Sequence, residues 1–121
     1  ILVGEDYERA LAAMKLYDVL LINAIADGMN LVAKEGPTIN TRNGVLILSE
    51  RAGASLQLAP GSTIISPCDI YATAEALHQG LSMETAKKQN RAKTLKWIIK
   101  QYDIHKWFSD QIQAVINLNL K

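Results

Sequence analysis

Apolar residues in this chain follow two patterns. Val19-Leu20-Leu21-Ile22-Asn23, Val45-Leu46-Ile47-Leu48-Ser49 and Thr63-Ile64-Ile65 are short runs, nearly all apolar and without alternation. Runs of this length and kind predict strands of a parallel sheet buried on both faces. The stretches between them have helical spacing. Tyr7 to Leu16 places Ala10, Leu11 and Met14 on one side, with Asp6 as a candidate cap. Asn30 can cap a helix over 31–36, a short helix fits Ala54 to Leu58 ahead of Pro60-Gly61, and Asp69 can cap a helix over 70–81. Asn40 to Gly44 reads as a polar turn, and Ile1-Leu2-Val3 as the tail of a further strand.

Strands alternating with helices predict an α/β fold: three or four parallel strands with right-handed crossovers and flanking helices. The C-terminus is helical, with one long helix from Glu84 to Gln101 and another from Ile104 onward. Ile104, Trp107, Phe108, Ile112, Val115 and Ile116 make one apolar face on the last helix. Trp97 and Trp107 read as core residues.

The candidate chemistry sits in Asp27-Gly28-Met29-Asn30-Leu31-Val32-Ala33-Lys34-Glu35. Strand, small-residue loop and helix N-terminus follow one another here. That construction leaves backbone N–H groups and the positive end of a helix dipole facing whatever sits above the sheet, which suits an anion such as a phosphate. Asp27 and Glu35 place a carboxylate on either side. Each piece has a plainer reading: Gly28 as a turn residue, Asn30 as a cap, Asp27 as a solvated loop acid, Glu35 as a partner for Lys34. Their combination at the C-terminal end of a parallel strand, where open α/β sheets bind ligands, favours the functional reading.

Hydrophobic residues make up 49% of the 121 positions and the net charge is +1. This supplies a core without the charge field expected of a nucleic-acid or membrane binder. No apolar run approaches the roughly 20 residues that span a bilayer. One cysteine excludes an internal disulfide framework, and Cys68 reads as a small buried hydrophobe. His78 and His105 have no partners at ligand spacing, so no bound metal is expected; no cofactor is expected either. A cytoplasmic location is expected. A phosphoacceptor receiver domain has similar length, but needs an acidic pair after its first strand, an Asp after the third and a Lys after the fifth. The chain lacks that pattern.

Tyr17 to Asn23 followed by Asp27 to Glu35 closely resembles the trehalose-6-phosphate synthase family of retaining glycosyltransferases. In the same order, Gly44 to Glu50 with Ala52-Gly53-Ala54 resembles the family's next strand and turn. Ser66-Pro67-Cys68-Asp69 stands where the family usually has Asn-Pro-aromatic-Asp, and Tyr102 to Trp107 resembles the segment leading into its closing helix. The resemblance implies a Rossmann-like sheet from the C-terminal part of the donor domain in a two-domain (GT-B) glycosyltransferase. UDP-glucose would be the donor and glucose 6-phosphate the acceptor. It implies that Glu35 binds the ribose hydroxyls and that the Leu31 and Val32 amides meet the diphosphate. Asp27, with the backbone of Gly28, Met29 and Asn30, would hold the donor glucose.

The acceptor domain, and the Arg and Lys that neutralise the leaving diphosphate, would lie outside these 121 residues. The isolated segment is accordingly expected to bind a nucleotide sugar without transferring it. Asn23-Ala24, Gly36-Pro37 and Cys68 depart from the common pattern, which leaves open the pseudo-glycosyltransferase and glucosylglycerol-phosphate branches and a non-catalytic nucleotide-sugar module. In the family the closing helix crosses back onto the other domain; without that partner its apolar face would pack on the sheet, pair with another copy or stay exposed as a patch.

Overall fold

The computed structural model describes residues 4–119, so Ile1-Leu2-Val3 lie outside the described residues. The elements run α1 (Tyr7–Leu16), β1 (Val19–Ile22), α2 (Val32–Ile39), β2 (Val45–Ser49), α3 (Ser55–Leu58) with a 3-10 turn at Ala59–Gly61, β3 (Thr63–Ile65), α4 (Ile70–Ser82), α5 (Thr85–Gln101) and α6 (Ile104–Asn119). The three strands form one parallel sheet in the order β1-β2-β3. Val19 pairs with Val45, and Ile47 with Thr63. The α/β reading and its element order therefore hold.

β2 is buried along its whole length. Leu46 and Leu48 point to a cluster with Ala33 of α2, Leu58 of α3, and Leu95 and Ile98 of α5. Val45 and Ile47 point the other way, to Ile65 of β3 and Ala76 of α4. The central strand thus has helices on both faces, as an unalternated apolar run requires. β1 does not match its expected full burial. Only Ile22 is buried, and Leu21 is 38% exposed. β1 is an edge strand among the described residues, so fewer neighbours cover it.

α2 runs to Ile39, three residues past the expected stop at Gly36-Pro37. Its buried face is Ala33, Gly36 and Pro37, at helical spacing. Pro37 forgoes only the bond to the Ala33 carbonyl. The last turn is closed by the Asn40 N–H donating to the Gly36 carbonyl at 2.9 Å and the Thr38 hydroxyl donating to the Lys34 carbonyl at 2.7 Å. Asp6 and Asp69 cap as expected, accepting from the Arg9 and Ala72 N–H groups.

Three residues assigned to the interior are outside it. Cys68, in the loop between β3 and α4, is exposed. Trp97 and Trp107 are 62% and 55% exposed. α5 spends its buried face on Ala92, Leu95 and Ile98, which leaves Trp97 outside. The whole apolar face of α6 is exposed.

The 40–44 turn is more than a polar connection. Asn40 is buried, and its side chain makes four hydrogen bonds. Its amide donates to the Met14 and Tyr17 carbonyls, and its oxygen accepts from the Arg42 and Gly44 N–H groups. Its own carbonyl accepts from Lys96 Nζ at 3.1 Å. One side chain so joins the end of α1 to the entry of β2, while its backbone reaches α5. Beside it the Tyr17 ring packs between Gly36 and Gly44, where a Cβ on Gly44 would meet the ring at 2.2 Å. The Tyr17 hydroxyl is buried with no hydrogen-bond partner among the described residues.

Asn40→Ala strands buried carbonyls and N–H groups, and we expect a loss of about 3 kcal/mol in urea unfolding. Burial pushes the Tyr17 hydroxyl above its ordinary value. The folded state keeps a proton that the unfolded chain releases near pH 10. That contribution to stability is therefore present below this pH and is lost as pH rises beyond it. Tyr17→Phe should raise stability by about 1 kcal/mol at neutral pH and shrink the alkaline loss in pH-dependent melts.

Candidate functional site at the C-terminal edge of the sheet

All three strands end at one edge, and their following loops are laced together there. Ser49 closes β2, and its hydroxyl donates to the Ala24 carbonyl at 2.7 Å while accepting from the Arg51 N–H. Asn23 Nδ2 donates to the Pro67 carbonyl after β3. Residues 27–29 run parallel to residues 51–54 as an extension of the sheet. The Asp27 N–H donates to the Arg51 carbonyl at 3.2 Å, the Gly53 N–H to the Asp27 carbonyl at 3.0 Å, and the Ala54 N–H to the Met29 carbonyl at 2.9 Å.

The loop is also braced by its own side chains. Asp27 Oδ1 accepts from the Met29 N–H, and Oδ2 from Asn30 Nδ2 at 2.9 Å. Asn30 has φ +71°, in the left-handed region. Asn tolerates that conformation better than most residues. Its Oδ1 accepts from the Ala33 N–H at 3.0 Å, so Asn30 caps α2, and Leu31 already has helical backbone angles. The Lys34 and Glu35 N–H groups both donate to the Leu31 carbonyl. Among the described residues the N–H groups of Leu31 and Val32 donate to nothing. They are the unpaired donors at the start of a helix.

The structure brings Asp27, Met29 and Asn30 into one hydrogen-bonded turn, with Gly28 at its tip. A Cβ added to Gly28 would meet no atom within 4 Å, so the protein's own packing does not require glycine there. Met29, Leu31 and Val32 are all exposed. Glu35 stands apart. It is half-buried one turn along α2 and lines a shallow cavity of about 300 Å³ with Tyr7, Leu11, Thr38 and Ile99. It makes no ion pair with Lys34 or any other described residue. A larger cavity of about 480 Å³ opens between Met29, Leu31 and Lys34 and the start of α6, where Tyr102, Lys106 and Trp107 line it. No group of three or more His, Cys, Asp or Glu residues could hold a metal ion among the described residues.

Ser49, Asn23 and the 51–54 segment were not singled out as site residues from the sequence. A serine ending an otherwise apolar strand is the one local sign of Ser49's role. Nothing local marks Asn23.

The family model for Glycosyltransferase family 20 matches residues 4–117. The chain belongs to this family. It is 40% identical over 108 residues to a bifunctional trehalose-6-phosphate synthase/phosphatase of Thermoproteus tenax, covering 88% of the chain and 15% of that protein. It is 35% identical over 103 residues to a glucosylglycerol-phosphate synthase of Picosynechococcus, covering 84% and 20%. Among solved structures, one from E. coli bound with UDP-2-fluoro glucose aligns with a TM-score of 0.85 and 32% identity, over 93% of the chain and 25% of its own length. The chain thus spans between 15% and 25% of these proteins. The alignment identifies the sheet as Rossmann-like. Among the described residues no helix is long and apolar enough to cross a membrane.

Asn30→Ala removes the cap and puts a residue with a costlier left-handed conformation at the turn. Together these should destabilise α2 by about 2 kcal/mol. Asn30→Gly keeps the conformation and should cost less. Urea melts of the two variants check the order.

Proposed function

We propose that residues 27–35 form the donor site of a retaining glycosyltransferase, a UDP-forming trehalose-phosphate synthase that transfers glucose from UDP-glucose to glucose 6-phosphate. In this reading the chain is the C-terminal part of the donor-binding domain in a two-domain GT-B enzyme. The reading rests on one observation above all: the unpaired Leu31 and Val32 N–H groups, held at the start of α2 by the Asn30 cap. Two adjacent donors at a positive helix end suit a diphosphate that gains charge as the sugar departs. Gly28 leaves open space beside them for the sugar. Asp27 keeps further lone pairs after bracing the loop, and these can accept from glucose hydroxyls. Glu35, unpaired by any cation, can accept from both ribose hydroxyls.

The cations that neutralise the leaving diphosphate and the acceptor pocket belong, in this reading, to segments outside these residues. The similar identities to trehalose-phosphate and glucosylglycerol-phosphate synthases support placing acceptor choice there too. Glucose 6-phosphate is the acceptor we favour. Nucleotide sugars and sugar phosphates are cytoplasmic compounds, so a cytoplasmic enzyme is proposed.

In the enzyme carrying both domains, Glu35→Ala should weaken UDP binding by roughly 10- to 150-fold, matching the loss of charge-assisted bonds. Glu35→Gln should weaken it less. Asp27→Asn should lower turnover of UDP-glucose more than affinity for UDP. Gly28→Ala should weaken UDP-glucose binding about tenfold with an unchanged melting temperature, since its Cβ meets only open space. Calorimetric titration with UDP and UDP-glucose tests all four. Unchanged UDP affinity in Glu35→Ala, with a lowered melting temperature, would make Glu35 a structural residue and overturn its assignment.

A further inference from the structure

We propose that Gly53 is a positioning residue for donor transfer, acting through the backbone of the 27–29 loop. The inference rests on the donor-site reading above and goes beyond it to a residue on a different loop. A Cβ built on Gly53 would lie 2.0 Å from the Gly28 carbonyl oxygen, 2.9 Å from the Gly28 carbonyl carbon and 3.5 Å from Met29 Cα. The atoms in the way are all backbone, so no side chain can swing aside. Gly53 does not have a positive φ, and alanine is conformationally acceptable there. The glycine answers to the contact alone.

The geometry also decides which side would yield. Ala52 and Ala54, on either side of Gly53, are 1% and 2% exposed in the core, and Ala54 leads directly into α3. The 27–29 loop is exposed and is held to this segment by the Gly53-to-Asp27 and Ala54-to-Met29 hydrogen bonds. A Cβ at position 53 therefore displaces the loop by about 1 Å, since carbon does not approach an oxygen closer than about 3.0 Å. The displaced groups are the ones assigned to the donor glucose and, through Asn30, the cap that sets the Leu31 and Val32 amides. A misplacement of this size at a reacting centre can cost about 100-fold in rate. The two glycines in contact thus have different duties: Gly28 leaves space for the ligand, and Gly53 leaves space for Gly28.

The test uses the enzyme carrying both domains, measuring donor and acceptor KM, kcat, UDP affinity and melting temperature. Gly53→Ala should lower kcat/KM for UDP-glucose about 100-fold while the KM for glucose 6-phosphate stays within twofold. A glycine needed only for folding would lower the melting temperature and the active fraction, and would leave the donor KM and kcat per active site at wild-type values. That result overturns the proposal. Should Gly53→Ala not fold, Ser49→Ala decides. It removes the bonds from Ser49 to Ala24 and Arg51 that hold the same two loops in register. A threefold or larger loss in donor kcat/KM supports positioning, and an unchanged value overturns it. If Gly28→Ala and Glu35→Gln weaken donor binding while Gly53→Ala leaves donor kcat/KM unchanged, this inference alone fails. If none of the three alters donor binding, the donor-site reading itself is wrong.

Discussion

The complete burial of β2 is the constraint from which the rest of the molecule follows. Five consecutive residues with side chains on both faces of a sheet need cover on both sides. A parallel sheet gets that cover from its crossover helices. α4 closes over Val45 and Ile47, and α2, α3 and α5 close over Leu46 and Leu48. With both faces occupied, the strand ends are where backbone stays accessible, and at the C-terminal edge three loops converge. The site's position is thus a consequence of how the core is sealed.

That edge is built mainly from backbone. The 27–29 loop extends the sheet by pairing with 51–54, and Asp27 and Asn30 use their side chains to fix the turn. Holding Asn30 in the left-handed region costs energy, which its two side-chain hydrogen bonds, one to Asp27 and one capping the Ala33 N–H, offset. The result is a rigid presentation of N–H groups with no cation in the loop itself. In the proposed donor site, donors fixed in this way would need no rearrangement as charge develops on the leaving diphosphate. Asn40 plays the matching part at the opposite end of the sheet, where it holds the α1 exit, the α2 exit and the β2 entry in one buried network.

Members of glycosyltransferase family 20 that match this chain are four to seven times its length. Large apolar side chains are exposed on α6, at Trp97, and at Met29, Leu31 and Val32 on the sheet edge. An apolar residue on a surface needs no explanation when single. Six on one face of one helix make a continuous patch of a kind soluble monomers rarely leave open.

The sequence by itself determined the elements and the direction of the sheet. Apolar runs, Asp6 and Asp69 caps and helical spacing are local signals, read within a few residues. The nine-residue motif was legible for the same reason, since turn, cap and helix start are consecutive in the chain. Tertiary structure decided what depends on distant partners. That Trp97 and Cys68 lie outside, that Leu21 stands on an edge, and that α2 continues through Pro37 are settled by which surfaces other elements cover. The contact of Gly53 with Gly28, the tie from Ser49 to Ala24 and the two bonds from Asn40 to the Met14 and Tyr17 carbonyls join residues 23 to 26 positions apart. No local pattern carries them, because a hydrogen bond or a close approach exists only once the sheet has brought both partners to the same edge.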